Sequence, residues 1–320
     1  MKIILYVISI LSIIGTLLPI SDNKNWFIRG QAYFRFWYLF SNLILLGILL
    51  TINPLEIYHY LIIALLFFSA LICLRDIIPF TKWYPKEIKD CQIKDLEKNL
   101  SILTYNVYQK NDKYQPLIEL VDNLSPDFIL LLETNKDWQK ALKSLDKIYP
   151  YQVKVIQENT YGMMLLSKFE PLEENVERLT DKKIPSIDFM IKFYDKKVRL
   201  RGLHPRPPIP GEALSSKQKD AEFREAAKII ADLPSDEMVI VMGDLNDVVW
   251  SKASKRFKKI SKLKDPRIGR GTYSTFPTYF PIRFPLDHIF CSPELFLADL
   301  TVLENIGSDH FPIYVKFCVV

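Results

Sequence analysis

The stretch Ser308-Asp309-His310-Phe311-Pro312-Ile313-Tyr314-Val315-Lys316-Phe317 sets a carboxylate and a titratable imidazole side by side, directly ahead of an apolar run. The run from Ile313 reads as a strand, so the acid and the base sit at a strand edge. Only four histidines occur in 320 residues, and His204, His288 and His310 all fall near the end of such a run. That placement points to chemistry more than to packing.

Outward from this stretch, the same pattern recurs through the C-terminal two thirds of the chain. Leu100–Tyr105, Phe128–Leu132, Met163–Leu166, Val198–Leu203, Met238–Met242, Leu286–Phe290 and Ile313–Phe317 all read as strands. Several are apolar almost throughout, as strands covered on both faces are. Gln115–Leu124, Lys136–Ile148 and Ser216–Leu233 carry helical spacing, the last with an apolar face of Phe223, Ala226, Ala227 and Ile230. Strands alternating with helices predict an α/β fold. No internal repeat or low-complexity segment interrupts the pattern.

The first 80 residues differ in kind. Ile3–Ile20, Phe36–Ile52 and Ile57–Leu74 are almost wholly apolar, and each approaches the roughly 17–25 helical residues that cross a bilayer. A cleaved signal peptide fits the first segment poorly: Lys2 is the only early cation, no small-x-small site follows, and two more apolar segments come next. Three buried core helices so close together are a weaker reading than three transmembrane helices. Residues 1–80 are therefore expected to form a membrane region, 81–99 a polar tether containing Pro85, and 100–320 a separate domain.

Charge bears on orientation. Lys24, Arg29 and Arg35 lie between the first two segments, and Arg75, Lys82, Lys86 and Lys89 follow the third, whereas the link Asn53–Glu56 has no Lys or Arg. That count favours a cytoplasmic domain, while Lys2 argues for a cytoplasmic N-terminus and a domain outside. The net charge of +5, from 42 basic and 37 acidic residues, is compatible with a polyanionic substrate or anionic lipid and requires neither. Cys73, Cys91, Cys291 and Cys318 are scattered, which predicts neither a zinc site nor a disulfide framework.

Asn106, Glu133, His204, Asp244, Asn246, Asp287, Asp309 and His310 each fall at, or just beyond, a strand end. Strand ends at one edge of a sheet converge, and ligands bind there in many layered folds. Each residue also has an ordinary reading. Asn106 is a common turn residue, Glu133 can cap a helix starting near Lys136, and Gly243-Asp244-Leu245-Asn246-Asp247 reads equally as a turn. Asp287, amid Leu286, His288 and Ile289, is harder to dismiss, because a carboxylate among apolar residues needs a partner. His288 is read as pointing to the other face of its strand, and His59 as interfacial. Together the set suits one kind of work. Mg²⁺ prefers carboxylate and amide oxygens, which Glu133 and Asn106 supply. A histidine oriented by a carboxylate can take a proton from water, and Asn246 and a protonated His204 can stabilise charge on phosphate oxygens. No Gly-x-Ser-x-Gly nucleophile motif competes.

The series Thr104-Tyr105-Asn106-Val107, Leu131-Leu132-Glu133-Thr134, Gly162–Ser167, Leu203-His204-Pro205, Gly243-Asp244-Leu245-Asn246, Leu286–Phe290 and Ser308–Pro312 resembles the endonuclease/exonuclease/phosphatase superfamily, in that family's motif order. The resemblance covers roughly Leu100 to Val320 and implies a four-layered α/β sandwich, two central sheets flanked by helices. It implies Glu133, Asn106 and Asp309 at a metal, with Glu133 the principal ligand, and His204 as a phosphate-binding residue. Asp244 and Asn246 would orient the attacking water, His310 would be the catalytic histidine and Asp287 its orienting carboxylate. The implied cofactor is Mg²⁺, with Mn²⁺ as an alternative, and the implied reaction is in-line attack of water on a phosphoester.

The segment Leu203–Pro208 looks most like bacterial membrane-anchored members, which implies an integral protein of an inner or plasma membrane. The basic stretch Lys252, Lys255, Arg256, Lys258, Lys259, Lys262 and Lys264 makes nucleic acid the first substrate reading; a solvated helix face explains it equally well. A loop with Phe276, Tyr279, Phe280 and Phe284 could stack on bases, dip into a bilayer, or pack on the domain. The tether and this loop support the alternative, a phospholipid or phosphoinositide headgroup. A catalytically dead scaffold would lack matched residues, and none is missing. Nothing indicates a protein partner.

Overall fold

The computed structural model describes residues 2–52, 56–92, 98–209 and 211–319. The link at 53–55 and the 93–97 part of the tether lie outside the described residues. Three N-terminal stretches are long and apolar enough to cross a membrane, over residues 2–20, 26–50 and 57–80. They contain helices α1 (Lys2–Leu17), the short α2 (Trp26–Gly30), α3 (Arg35–Leu50) and α4 (Ile57–Ile77). Leu45, Leu49, Ile62 and Leu66 knit α3 to α4, with Ile13 from α1. His59 ties all three helices: its ring nitrogens meet Tyr6 Oη at 2.8 Å and the Leu49 carbonyl at 3.1 Å.

From there the chain runs β1 (Asn99–Asn106), α5 (Tyr114–Leu124), β2 (Phe128–Leu132), α6 (Lys136–Ala141), β3 (Tyr151–Val155), β4 (Met163–Ser167), β5 (Pro171–Glu177), β6 (Ser186–Phe193) and β7 (Lys196–Gly202). It continues through α7 (Lys217–Ala231), β8 (Glu237–Asp244), α8 (Lys252–Ser261), β9 (Asp287–Cys291), β10 (Phe296–Val302) and β11 (Ile313–Cys318). The strands form a six-stranded sheet, β10-β11-β1-β2-β4-β3, and a five-stranded sheet, β5-β6-β7-β8-β9.

Alternation along each strand explains the layering. Leu100, Ile102, Phe128 and Leu130 face Val198, Leu200, Ile240 and Met242 between the sheets. Their neighbours Leu103, Ile129 and Leu131 face outward against Leu117 and Val121 of α5 and Trp138 of α6. Val239 and Val241 likewise pack under Phe223, Ala226 and Ile230 of α7 and Phe257 of α8. Central strands covered on both faces must be apolar on both. The result is the expected α/β/β/α sandwich.

Two expectations need correction. The segment after α4 is not a free tether over its described part: Ile88 is buried, Leu297 N donates to Lys89 O at 2.9 Å, and Cys91 N donates to Leu297 O at 2.8 Å. This places Cys91 against the edge strand β10, and it forms a disulfide with Cys318 at the end of β11, 227 residues away. Scattered spacing had predicted no disulfide; sequence distance carries no information about a pair brought together by strand pairing. Cys73 and Cys291 are free and buried.

The basic stretch is also placed differently from an open polyanion groove. Lys252 pairs with Asp22 at 2.9 Å, Lys255 with Asp76 at 2.6 Å, and Lys258 with Glu87 at 2.7 Å. Asp76, buried at the end of α4, also holds Arg35 at 3.0 Å. Three of the five basic residues on α8 thus pair with the N-terminal region and the segment that follows it.

Candidate active site

Parallel pairing of β1 with β2 and of β7 with β8, with β11 and β9 antiparallel beside them, brings strand ends of both sheets to one edge. Asn106 closes β1 and Glu133 follows β2; His204 follows β7 and Asp244 closes β8; Asp287 opens β9 and His310 precedes β11. Glu133 and Asn246 adopt left-handed backbone (φ 62° and 51°), conformations that non-glycine residues keep where the surroundings impose them. Gly243 is obligatory: its φ is 137°, and a Cβ there would lie 2.1 Å from the Leu203 carbonyl oxygen.

The centre is a hydrogen-bonded chain. His310 Nδ1 lies 2.7 Å from Asp287 Oδ2, which also accepts a bond from the Thr275 hydroxyl. On its other side His310 Nε2 lies 3.5 Å from Asp244 Oδ2, and His204 Nε2 lies 3.8 Å from the same oxygen. Asn106 Nδ2 donates to Asp244 Oδ2 at 3.1 Å and to Glu133 Oε1 at 2.9 Å, so one amide links the proton-handling groups to the acidic ones. Ser308, beside the acid and base of the opening stretch, donates to the Asn106 carbonyl at 2.7 Å and accepts from His310 N at 3.0 Å. It therefore fixes the height of the histidine against β1.

Burial and charge set the protonation states. Burial opposes a charge on His310, but Asp287 and Asp244 outweigh it and push the imidazole up to about 10. Asp244 is raised by its burial, with His310 acting against the rise. Glu133 is raised mainly by burial and also by Asp309, while Asn106 and the Gln109 N–H pull it down. His204 is lowered by burial, and its Nδ1 makes no hydrogen bond. Burial thus works against the protonated form that the sequence suggested, and the orphaned Nδ1 faces a need that a phosphate group or a solvent molecule can meet.

The neighbour of Asp287, His288, is also buried and points away from this chain. Its Nε2 meets Asp247 O at 2.8 Å and its Nδ1 meets Arg267 at 3.3 Å, and burial and Arg267 hold it neutral. It is a packing residue, in keeping with the reading that it points to the other face of its strand.

Glu133, Asp309, Asp244, Asn246 and His310 all line one cavity of about 390 Å³. Two groupings there have donors for a cation. Asp244, Asp287 and His310 have ligand atoms within 4.8 Å of one another, yet Asp287 and His310 are already bonded to each other. Asp309 lies near enough to Glu133 to raise the proton affinity of Glu133, a penalty that a divalent cation removes, and the hard oxygens of both carboxylates suit Mg²⁺. Asn106 fits less directly, because its Oδ1 accepts from Tyr108 N at 3.0 Å and its amide N–H groups face the carboxylates. Asn246 is likewise engaged, donating to Pro205 O at 3.0 Å.

Sequence reasoning missed several residues here. Lys219 of α7 is buried and reaches Asp247 at 2.8 Å and the Asn246 carbonyl at 3.0 Å. Tyr33, ahead of α3, donates to that same carbonyl at 3.0 Å. Neither stands at a strand end, so no periodicity marks them.

Comparisons with known proteins agree with this geometry. No curated protein matches the chain. Among solved structures, zebrafish (D. rerio) TDP2 complexed with a single-strand DNA product is 19% identical, with a TM-score of 0.59 over 68% of this chain and 98% of that one. The human Nocturnin catalytic domain is 16% identical, with a TM-score of 0.58 over 70% of this chain and 95% of that one. Sphingomyelinase C from Streptomyces griseocarneus is 16% identical, with a TM-score of 0.52 over 68% and 99%. At such identities these likenesses establish the fold. The profile of the Endonuclease/Exonuclease/phosphatase family matches residues 103–310, and the chain belongs to that family of hydrolytic phosphoesterases.

Proposed function

We propose that the chain is a membrane-anchored, divalent-metal-dependent phosphodiesterase, held in the bilayer by residues 1–80 and acting through the domain 100–320. The observation that carries this reading is the chain Asp287–His310–Asp244, which faces Glu133 and Asp309 across one cavity. Glu133 and Asp309, with Asn106 beside them, would hold Mg²⁺ or Mn²⁺, which supplies neutralisation of phosphate charge. The water oxygen bonds to phosphorus as the bond to the leaving alkoxide breaks, and the water proton passes into the Asp244–His310 pair. His310 holds a proton at rest, so the Asp244 carboxylate is the open acceptor and the imidazolium is the donor toward the phosphoryl or leaving oxygen. His204 and Asn246 flank the phosphate position, and Asp287 with Thr275 fixes the imidazole. Hydrolysis of bis(p-nitrophenyl) phosphate by the full chain in detergent tests this. Activity should require Mg²⁺ or Mn²⁺ and vanish in Glu133→Ala; metal-independent hydrolysis contradicts it.

Structural relatives include one crystallised with DNA product and one named for sphingomyelin, so similarity does not choose the substrate. Of the seven basic residues that motivated a nucleic acid, Lys252, Lys255, Lys258 and Lys264 pair with Asp22, Asp76 and Glu87, which favours the lipid alternative. The disulfide supports a domain on the oxidising side of the membrane, since such bonds are rare in the cytosol. Against the cytoplasmic expectation, Lys24 pairs with Asp220 and Arg35 with Asp76, so these charges have roles within the fold. Accessibility of a C-terminal tag to an impermeant reagent in intact cells tests the orientation.

A further inference from the structure

The cavity that holds the catalytic residues has a second wall, and that wall comes from the N-terminal helices. Trp26, Gly30, Tyr33 and Phe34 line it, together with Phe276 and Phe284. The segment is docked firmly. Trp26 N donates to Leu214 O at 3.1 Å, Trp250 Nε1 donates to Ala32 O at 2.7 Å, and Tyr33 Oη reaches Asn246 O. Rings of Tyr33 and Phe34 meet Phe284 edge-on at 5.5 and 6.0 Å.

The wall is also continuous with the second apolar span. Residues 26–50 form one stretch apolar enough to cross a bilayer, and its first nine residues are those against the site. Phe34 is 42% exposed, and the next turn presents Phe36 and Trp37 outward. Ile209 on the cavity, and Tyr279 and Phe280 of the neighbouring loop, are half-exposed or more. Aromatic residues at such a junction sit at the level of lipid headgroups. A polar floor thus opens onto an apolar rim at the height where headgroups lie, and a cavity of about 390 Å³ has room for a headgroup and the start of a chain. A polynucleotide would need a basic track past the site, and among the described residues no lysine or arginine lines this cavity.

We propose that the substrate is a lipid phosphoester of the leaflet on the domain's side, its phosphate on the Glu133–His310 floor and its chain running over the joined rings of Tyr33, Phe34 and Phe284 and past Ile209 into the bilayer. This rests on the phosphoesterase reading above and on membrane anchoring.

Chain-length dependence tests it. The full chain in detergent micelles with Mg²⁺ is given p-nitrophenyl phosphodiesters carrying a methyl or a hexadecyl group. The hexadecyl ester should have a kcat/KM at least about 10-fold higher, the scale of a few buried methylenes. Gly30 has helical φ and open space where a Cβ would stand, so Gly30→Trp fills the mouth; the long-to-short ratio should then fall at least about 10-fold. Phe34→Gln, at an exposed position, repeats the test without adding bulk. Equal rates for the two esters, or a ratio unmoved by both variants, overturn the proposal.

A second readout does not depend on turnover. In nanodiscs of phosphatidylethanolamine and phosphatidylglycerol, a photoreactive phospholipid should crosslink to residues 26–34 and 276–286, and Gly30→Trp should abolish this. Crosslinking without hydrolysis of either ester would remove the phosphoesterase reading and leave the lipid site standing. Cleavage of a single-stranded oligonucleotide with no crosslinking at these residues would overturn the lipid site and leave the phosphoesterase.

Discussion

The floor and the wall of one cavity were built in different ways. The floor is polar and assembled from strand ends of both sheets, with Glu133, Asp244, Asp287 and His310 held to one another through Asn106 and by direct contacts. The wall is aromatic and comes from a segment outside the sandwich, attached by a few backbone and side-chain bonds. A floor of this kind specifies which bond breaks. A wall of this kind specifies which molecule reaches it, so reaction class and substrate are separable properties of this chain.

The largest expected effect breaks the floor. His310→Ala should lower kcat for any phosphodiester by about 10²–10⁴-fold, the usual range for a proton-transfer group. Asp244→Asn should do nearly as much, because Asn cannot accept the water proton. Steady-state kinetics of the two variants sharpens the assignment: a large loss in His310→Ala alone would return the acceptor role to the imidazole.

Next in size is the joint between floor and wall. Lys219→Met leaves Asp247 buried without its cation, and loss of one partner of a buried pair costs about 3–5 kcal/mol. Chemical denaturation in a mild detergent should show that loss, and a loss near zero would mean the joint is plastic.

A pH effect outside both regions must be kept apart from the floor's own profile. Glu222 on α7 is pushed up to about 8, first by burial and then by Asp181, with Arg206 opposing. The folded chain therefore keeps this proton where the unfolded chain, near 4.5, has lost it. Stability then falls as pH rises from about 4.5 to about 8, at up to about 1.4 kcal/mol per unit. Glu222→Gln should flatten the dependence of Tm on pH in that window; an unchanged slope contradicts the assignment.

Smallest is Tyr33→Phe, which removes one bond to the Asn246 carbonyl while Lys219 still serves it, so about 1 kcal/mol or less is expected by denaturation.

Much of the floor was legible in the sequence because its residues interrupt or end apolar strands, where a polar group has little else to do. Asp287 within β9 is the plainest case. The strands missed were those whose burial is one-sided or paid by ion pairs. In β5, Glu173, Glu174 and Glu177 mark an exposed edge, and in β6 Asp188 is neutralised by Arg199 and Arg201 from β7. Thr275 and Lys219 act through tertiary contacts from a loop and a helix, which no spacing reports. The wall was least legible, since Trp26–Phe34 falls in the charged connection ahead of the apolar run Phe36–Ile52, and nothing in its spacing marks it until the sandwich is seen against it.

The most direct test of this division compares wild type, His310→Ala and Gly30→Trp with the methyl and hexadecyl p-nitrophenyl phosphodiesters under one set of micelle and Mg²⁺ conditions. The account expects His310→Ala to lower both rates by the same factor, leaving their ratio intact, and Gly30→Trp to collapse the ratio. A ratio that shifts with His310→Ala, or a Gly30→Trp variant that slows both esters equally, would contradict the separation of chemistry from substrate choice.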